Sequence, residues 1–194
     1  MAANRRTPEN IPMQKCLAGA MLILMTAGIA RALVSFEPVT PEASPEACAL
    51  LRAIGRLSGR NTLSGQHNSA NTKSRYSEQA RFATGKQPAI WSSDFGFATD
   101  GDGAMTNRDA MIAEAKRQFA AGSIIQLTWR AVRPTEDEPA GLKESVQARL
   151  PYDQWRELLT AGTPLRKRWE AQVDVIAGHL AQLRDARIPV LWQP

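Results

Sequence analysis

Four short apolar segments of the sequence are each followed directly by side chains that can form hydrogen bonds. The segments end in Gln66-His67-Asn68, Ser93-Asp94, Trp129-Arg130 and Gln193. A sugar needs such a surface, because its CH faces stack on aromatic rings while its hydroxyl groups require fixed donors and acceptors. The pattern therefore favours a saccharide-binding site, and the residues predicted to contact the sugar are His67, Asp94, Trp129 and Arg130.

Three of these candidates also have a structural interpretation. His67 could be a hydrogen-bonding group of the fold, Asp94 could cap a loop or helix, and Trp129 could pack into the core. Trp91 lies inside an apolar segment and is predicted to be a core residue. His179 lies within a helical pattern next to polar residues, which favours a boundary or solvent position over a functional one.

The acidic run Glu136-Asp137-Glu138 resembles a catalytic carboxylate pair only superficially. Glycosidases hold two carboxyl groups about 5 to 10 Å apart on either side of the scissile bond. Adjacent residues of one loop do not easily reach opposite faces of a bond, and acidic runs are usually solvated. We therefore predict no catalytic residue in this run.

No metal-ligand spacing, nucleophile elbow or phosphate loop occurs, so neither a metal nor an organic cofactor is predicted.

The candidate residues follow strands in a regular alternation of strands and amphipathic helices. Helices are predicted to begin after Ser44, near Ser74, at Asn107 and at Thr163, and Gly85 is predicted to end the second. The region between residues 130 and 162 is interpreted as a long loop. The four predicted strands are residues 62–66, 89–93, 123–129 and 189–192.

This alternation predicts an α/β fold with a parallel sheet and right-handed crossovers. Both a doubly wound sheet and part of a (β/α)8 TIM barrel fit the pattern. A dinucleotide-binding fold would need three glycines after the first strand, whereas residues 63–67 contain one. The barrel is therefore preferred, and in barrels the active site lies on the loops that follow the strands. A complete barrel needs about 250 residues, more than this chain of 194.

Residues 1–32 have the pattern of an export signal. Arg5, Arg6 and Lys15 precede an apolar run at residues 17–29, and Ala30-Arg31-Ala32 resembles a cleavage site. A permanent anchor needs roughly 20 apolar residues, so an uncleaved anchor is the less favoured alternative. The sequence therefore predicts a secreted or periplasmic protein without a stable membrane anchor.

The remaining chain is divided into a linker at residues 33–49, rich in Pro and Glu, and a domain at residues 50–194. Cleavage would remove four basic side chains and Glu9, so the formal charge of +5 would fall to +2. That small excess gives no reason to expect a nucleic-acid partner. Cys48 would be the one remaining cysteine, so no internal disulfide is predicted.

Several strings of this sequence together resemble glycoside hydrolase family 26, the β-mannanase-type retaining enzymes. The resemblance covers roughly residues 50–194, and four strings occur in order at predicted strand ends. The first three are Leu63 to Asn68, Pro88 to Gly96 and Leu127 to Pro134. The similarity then continues from Gly162-Thr163-Pro164-Leu165 to the final segment, Val190 to Pro194.

The resemblance implies a (β/α)8 barrel that hydrolyses internal β-1,4 links of mannan-type polysaccharide with retention of configuration. It also implies an acid/base glutamate just after the fourth strand, in a His-Glu pair that follows Arg-Pro, and a nucleophile glutamate on the seventh. The sequence ends at Gln193-Pro194, so neither glutamate has a matching position. We therefore expect a chain truncated to about the first four β/α units and inactive by itself, with exposed sheet edges that favour self-association.

Two departures from the family pattern bear on function. Trp129-Arg130 stands where the family commonly has Trp-His, and Gln193-Pro194 stands where it has Arg-Pro. Exchanging an imidazole for a permanent cation alters hydrogen bonding in a cleft. The alternatives are therefore a non-catalytic carbohydrate-binding remnant or the product of a decayed gene. A periplasmic interaction protein unrelated to sugars fits only the export signal and the alternating elements.

Overall fold

The computed structural model describes residues 37–96 and 105–193. The chain divides into two units, Met1–Glu37 and Pro38–Pro194, and all described helices and strands lie in the second unit. The predicted export signal at residues 1–32 lies outside the described residues. Within the described ranges, no helix is both long enough and apolar enough to cross a bilayer.

Helices and strands alternate along the second unit, as the sequence predicts. In the described residues the strands are β1 (Gly65–His67), β2 (Ile90–Asp94), β3 (Ile124–Thr128) and β4 (Val190–Gln193). A 3-10 turn spans Ala70–Thr72. The helices are α1 (Pro45–Leu57), α2 (Arg75–Thr84), α3 (Arg108–Ala120), α4 (Tyr152–Leu159) and α5 (Pro164–Asp185).

The four strands form one parallel sheet in the order β1-β2-β3-β4. Each strand lies beside its neighbour in sequence, which is the arrangement of a (β/α)8 barrel, whereas a doubly wound sheet reverses direction at a switch point. The strand order therefore favours the barrel over the doubly wound alternative. The outer edges of β1 and β4 have no partner strand among the described residues, and self-association through them stays a prediction.

Local sequence signals fix several helix ends where they were predicted. The hydroxyl of Ser44 accepts a hydrogen bond from the backbone N–H of Ala47 at 3.2 Å, which caps α1. Thr163 caps α5 in the same way through the N–H of Arg166 at 3.4 Å. Gly85 ends α2 with a φ of 71°, a left-handed conformation that glycine adopts without strain. Both capped helices begin with proline, whose missing N–H needs no partner there.

The structure differs from the sequence prediction in three places. α1 begins at Pro45, next to its predicted cap Ser44, and so overlaps the end of the segment assigned as a linker up to residue 49. β1 starts at Gly65 rather than at residue 62, because β2 begins opposite Gly65, at Ile90, and leaves the earlier residues without a partner strand. α4 lies within the predicted long loop. It is only eight residues long and buries a single residue, Leu158.

The core lies between one face of the sheet and the helices. Along β3, Ile125 and Leu127 are completely buried, whereas the alternate residues Ile124, Gln126 and Thr128 are only partly buried. Met111 of α3 and Ile176 of α5 belong to the same apolar cluster. Trp91 of β2 is 1% exposed, which confirms its prediction as a core residue.

A buried hydrogen-bonded network joins α2, β2 and α3 behind the sheet. The indole N–H of Trp91 donates to the hydroxyl of Ser74 at 3.0 Å, and that hydroxyl donates to Glu114. Gln118 and Arg117 also donate to Glu114, at 2.9 and 2.8 Å. Burial raises the pKa of Glu114, but the hydrogen bonds from Arg117, Gln118 and Ser74 outweigh it and lower the pKa to about 2.

Candidate functional site: the carboxyl edge of the sheet

The candidate residues lie where the four strands end. Because the strands are parallel, their carboxyl ends meet at one edge of the sheet. Asp94 is in register with Thr128, and Thr128 with Gln193. His67 is in register with Ser92, two residues before Asp94. The pairing therefore brings together side chains that are distant in sequence.

His67 and Asp94 are in direct contact at this edge. Nε2 of His67 is 3.0 Å from Oδ2 of Asp94, and Nδ1 is 3.0 Å from the hydroxyl of Ser92. A carboxylate only accepts hydrogen bonds, so Nε2 is assigned as the protonated nitrogen. Asp94 is buried, whereas the side chain of His67 is 46% exposed. The contact thus fixes the orientation of an imidazole that is open to a ligand.

Arg130 completes a cluster around the same carboxylate. Its Nη2 is 3.8 Å from Oδ2 of Asp94, and its side chain is accessible. The imidazole and the guanidinium therefore both approach the same oxygen of Asp94. Both ring nitrogens of His67 are engaged within the protein, by Asp94 and Ser92. A sugar at this edge would therefore meet the accessible guanidinium of Arg130 as a donor, the carboxylate of Asp94 as an acceptor and the exposed part of the His67 ring as a packing surface.

Trp129 lies on the other side of the sheet from this cluster. Its ring is 7% exposed and stacks on Trp169 of α5, with centroids 5.4 Å apart and an angle of 13°. It belongs to the apolar core, although its indole N–H has no hydrogen-bond partner in the described part of the chain. The structure therefore supports a packing role for Trp129, and a contact with sugar stays a prediction.

Two other side chains at the strand ends form hydrogen bonds within the protein. Asn68 is fully buried, and its Oδ1 accepts hydrogen bonds from the backbone N–H groups of Tyr76 and Ser77, both at 3.1 Å. It thereby satisfies donors in the first turn of α2. Gln193 accepts a hydrogen bond from Gln126 at 3.3 Å on the more exposed face of the sheet.

The three acidic residues of the run after β3 each pair with an arginine. Glu136 lies 3.2 Å from Arg133 and Asp137 lies 2.7 Å from Arg168. Glu138 contacts the buried Arg108 at 2.8 Å. These pairings give each carboxylate a structural partner, and the absence of a catalytic residue from the run stays a prediction.

Sequence reasoning missed two residues near the cluster. Ser92 contacts His67, and the alternation Ile90, Ser92, Asp94 along β2 could have placed it on the same face as Asp94. Arg108 is buried beside the end of β2, a position for which an arginine gives no sequence signal. In residues 37–96 and 105–193, no group of three or more His, Cys, Asp or Glu is arranged to hold a metal ion.

The sequence pattern of glycosyl hydrolase family 26 matches residues 39–194. The chain belongs to this family. The match begins before residue 50 and so includes α1. Family membership agrees with the position of the cluster at the carboxyl edge of the sheet, where barrel enzymes build their active sites.

Individual family 26 proteins resemble the chain over part of their length. GH26A from a Muricauda species has 35% identity and a TM-score of 0.71, over 79% of this chain and 49% of that chain. A β-mannanase from a protist symbiont of the termite Reticulitermes speratus, solved with a gluco-manno-oligosaccharide, has 24% identity and a TM-score of 0.67, over 82% of this chain and 51% of that chain. Mannan endo-1,4-β-mannosidase of Thermothelomyces thermophilus is 26% identical over 167 residues, 79% of this chain and 32% of that protein.

These similarities confirm the predicted fold class. The parallel sheet with its sequential strand order corresponds to four consecutive β/α units of a family 26 (β/α)8 barrel. The chain spans about half the length of the two solved chains and about a third of the mannosidase.

Proposed function

We propose that this chain binds β-1,4-mannan-type saccharide through His67, Asp94 and Arg130 and forms part of the active-site cleft of a retaining β-mannanase. The observation that carries the proposal is the contact of an accessible imidazole and an accessible guanidinium with one buried carboxylate at the carboxyl edge of a family 26 sheet. A saccharide hydroxyl can both donate and accept a hydrogen bond, and here the guanidinium of Arg130 is the donor and the carboxylate of Asp94 the acceptor, while His67 fixes that carboxylate. The names of the related mannanases support mannan as the saccharide.

We further propose that these 194 residues do not hydrolyse mannan by themselves. Retaining hydrolysis needs two carboxyl groups about 5 Å apart, one as acid/base and one as nucleophile. In the part of the chain that the structure describes, the four strand ends contribute one carboxylate, Asp94. That carboxylate is already engaged by His67 and Arg130. The resemblance to the family implies two catalytic glutamates, one after the fourth strand and one on the seventh.

Calorimetry with mannohexaose tests the proposed binding, and an assay for new reducing ends tests the proposed lack of hydrolysis. We expect heat of binding at millimolar saccharide and no reducing ends above the blank. Cellohexaose serves as the matched control, because it has the same β-1,4 links and differs at the C2 hydroxyl, and we expect it to bind more weakly. Absence of heat with mannohexaose would contradict the binding proposal, and release of reducing ends would contradict the second part.

We also propose that the protein is exported, to the periplasm or beyond the cell. The motivation is the charged start, the apolar run at residues 17–29 and the small residues Ala30 and Ala32. When the chain is expressed in a bacterial host with an export pathway, mass spectrometry of the exported protein should show an N-terminus at Leu33. Recovery of the intact chain in the cytoplasm alone would contradict this prediction.

A further inference from the structure

An arginine is buried directly behind the end of β2. Arg108 is the first residue of α3 and is 4% exposed. Its Nε and Nη2 both donate to the backbone carbonyl of Phe95, at 3.2 and 3.1 Å. Nη2 also donates to Oε1 of Glu138 at 2.8 Å. Burying a guanidinium is unfavourable unless it is paired and hydrogen-bonded, and these contacts meet that requirement.

The carbonyl that accepts from Arg108 belongs to Phe95, the residue next to Asp94. Phe95 is fully buried, and its backbone N–H donates to the carbonyl of Thr128 at the end of β3 at 2.9 Å. Its ring contacts His179 of α5, with centroids 5.8 Å apart. The backbone at position 95 is thus fixed through its N–H, its carbonyl and its side chain. Asp94 can shift little while these contacts persist.

Glu138 extends this connection to the loop after β3. That loop starts at Arg130, the cation that pairs with Asp94, and reaches Glu138 before α4 begins. Glu138 is partly exposed, whereas its partner Arg108 is buried, so the ion pair ties a surface loop to the interior. One ion pair therefore links the end of β2 to the loop that carries Arg130.

We propose that Arg108 and Glu138 are positioning residues for the saccharide site, which fix Asp94 through Phe95 and hold the loop of Arg130 against it. This inference rests on the proposed function, since it assigns these residues to the same cluster. Neither residue is proposed to contact the saccharide. Their effect is to keep Asp94, His67 and Arg130 at a fixed separation, which reduces the ordering required on binding.

The first test replaces Glu138 by glutamine and Arg108 by lysine. Glu138→Gln removes the charge that compensates Arg108, and Arg108→Lys keeps a charge but removes the planar fork that reaches both acceptors. For each variant we expect mannohexaose affinity to fall by about tenfold, the effect of losing one net hydrogen bond to a charged group. Glu170→Gln is the matched control, because it removes an exposed pair with Arg166 on α5 and should leave affinity unchanged.

A second measurement needs no saccharide. The chain contains two histidines. His67 contacts Asp94, and His179 contacts the ring of Phe95, the next residue along the chain. Nitrogen NMR of the histidine rings should therefore show shifted or broadened signals for both rings in Glu138→Gln and Arg108→Lys. The same spectra of Glu170→Gln should match the unsubstituted protein.

The outcomes separate this inference from the proposed function. If the unsubstituted protein binds no mannohexaose, the proposed function fails, while the histidine spectra still decide whether Arg108 and Glu138 hold the segment. Unchanged spectra and unchanged affinity in both variants, with folding intact, would overturn the inference. Equal loss of affinity in Glu114→Gln, a destabilising change in the network behind the sheet, would also overturn it, because affinity would then follow stability alone.

Discussion

Replacing Glu114 by glutamine is expected to lower the free energy of unfolding by about 2 kcal/mol at neutral pH. Folding lowers the pKa of Glu114 from 4.5 to about 2, because hydrogen bonds from Arg117, Gln118 and Ser74 outweigh the effect of burial. The full shift corresponds to about 3 kcal/mol at about 1.4 kcal/mol for each pH unit. Arg117 is 59% exposed, so solvent screens part of its interaction and the expected loss is smaller.

The same pKa predicts how this loss depends on pH. A carboxylate with a lowered pKa in the folded state stabilises the protein above its unfolded pKa of 4.5, and this contribution disappears as the pH falls towards 2. The difference in stability between the unsubstituted protein and Glu114→Gln should therefore be constant near neutral pH and shrink below about pH 4.5. Urea unfolding at a series of pH values measures it.

A control isolates the role of burial. Glu170→Gln removes another carboxylate that pairs with an arginine, Arg166 at 2.7 Å, but both side chains are accessible. An exposed pair contributes about 0 to 1 kcal/mol, so this variant should be nearly as stable as the unsubstituted protein. If the free energies of unfolding of Glu114→Gln and of the unsubstituted protein differ by the same amount at every pH down to 2, the hydrogen bonds to ionised Glu114 are not the cause of the loss.

The helices and strands were predictable because their signals are local. Ser44 and Thr163 cap helices through groups three residues away, and Gly85 ends a helix through its own φ. The parallel sheet was predictable, since short apolar strands that alternate with helices form parallel sheets. The start of β1 was not, because it depends on where its partner β2 begins.

The site was predictable only in part, because strand register decides which side chains meet. The rule that active sites follow barrel strands identified His67, Asp94 and Arg130, which the structure brings together. For Trp129 the strand end alone left core and cleft equally plausible. The alternation from the buried Ile125 and Leu127 places it on the helix side, a conclusion that requires knowing which face of β3 is covered.

Arg108 shows what sequence rules do not detect. Arginine is among the residues least often buried, so a sequence gives no reason to place one behind the end of β2. Its partners, the carbonyl of Phe95 and the carboxylate of Glu138, are 13 and 30 positions away in sequence. Long-range pairing of this kind becomes visible only when the fold brings the loops together.

Replacing Asp94 by asparagine is expected to weaken mannohexaose binding by about 10- to 100-fold. The change keeps the shape of the side chain but removes the charge shared by His67 at 3.0 Å and Arg130 at 3.8 Å. Hydrogen bonds to charged groups contribute about 1.5 to 3 kcal/mol each, which corresponds to this range of affinity. Calorimetry against mannohexaose measures the loss, and circular dichroism verifies that the variant is folded.

Asp137→Asn is the matched control, since it also removes a carboxylate that pairs with an arginine, Arg168 at 2.7 Å. Asp137 is 84% exposed and follows the strand end by several residues, so its loss should change neither affinity nor stability measurably. If Asp94→Asn binds as tightly as the unsubstituted protein, the saccharide site lies elsewhere on the chain. If both variants lose affinity equally, binding depends on overall charge and not on the geometry around Asp94. A loss confined to Asp94→Asn is the result that the contacts of this buried carboxylate require.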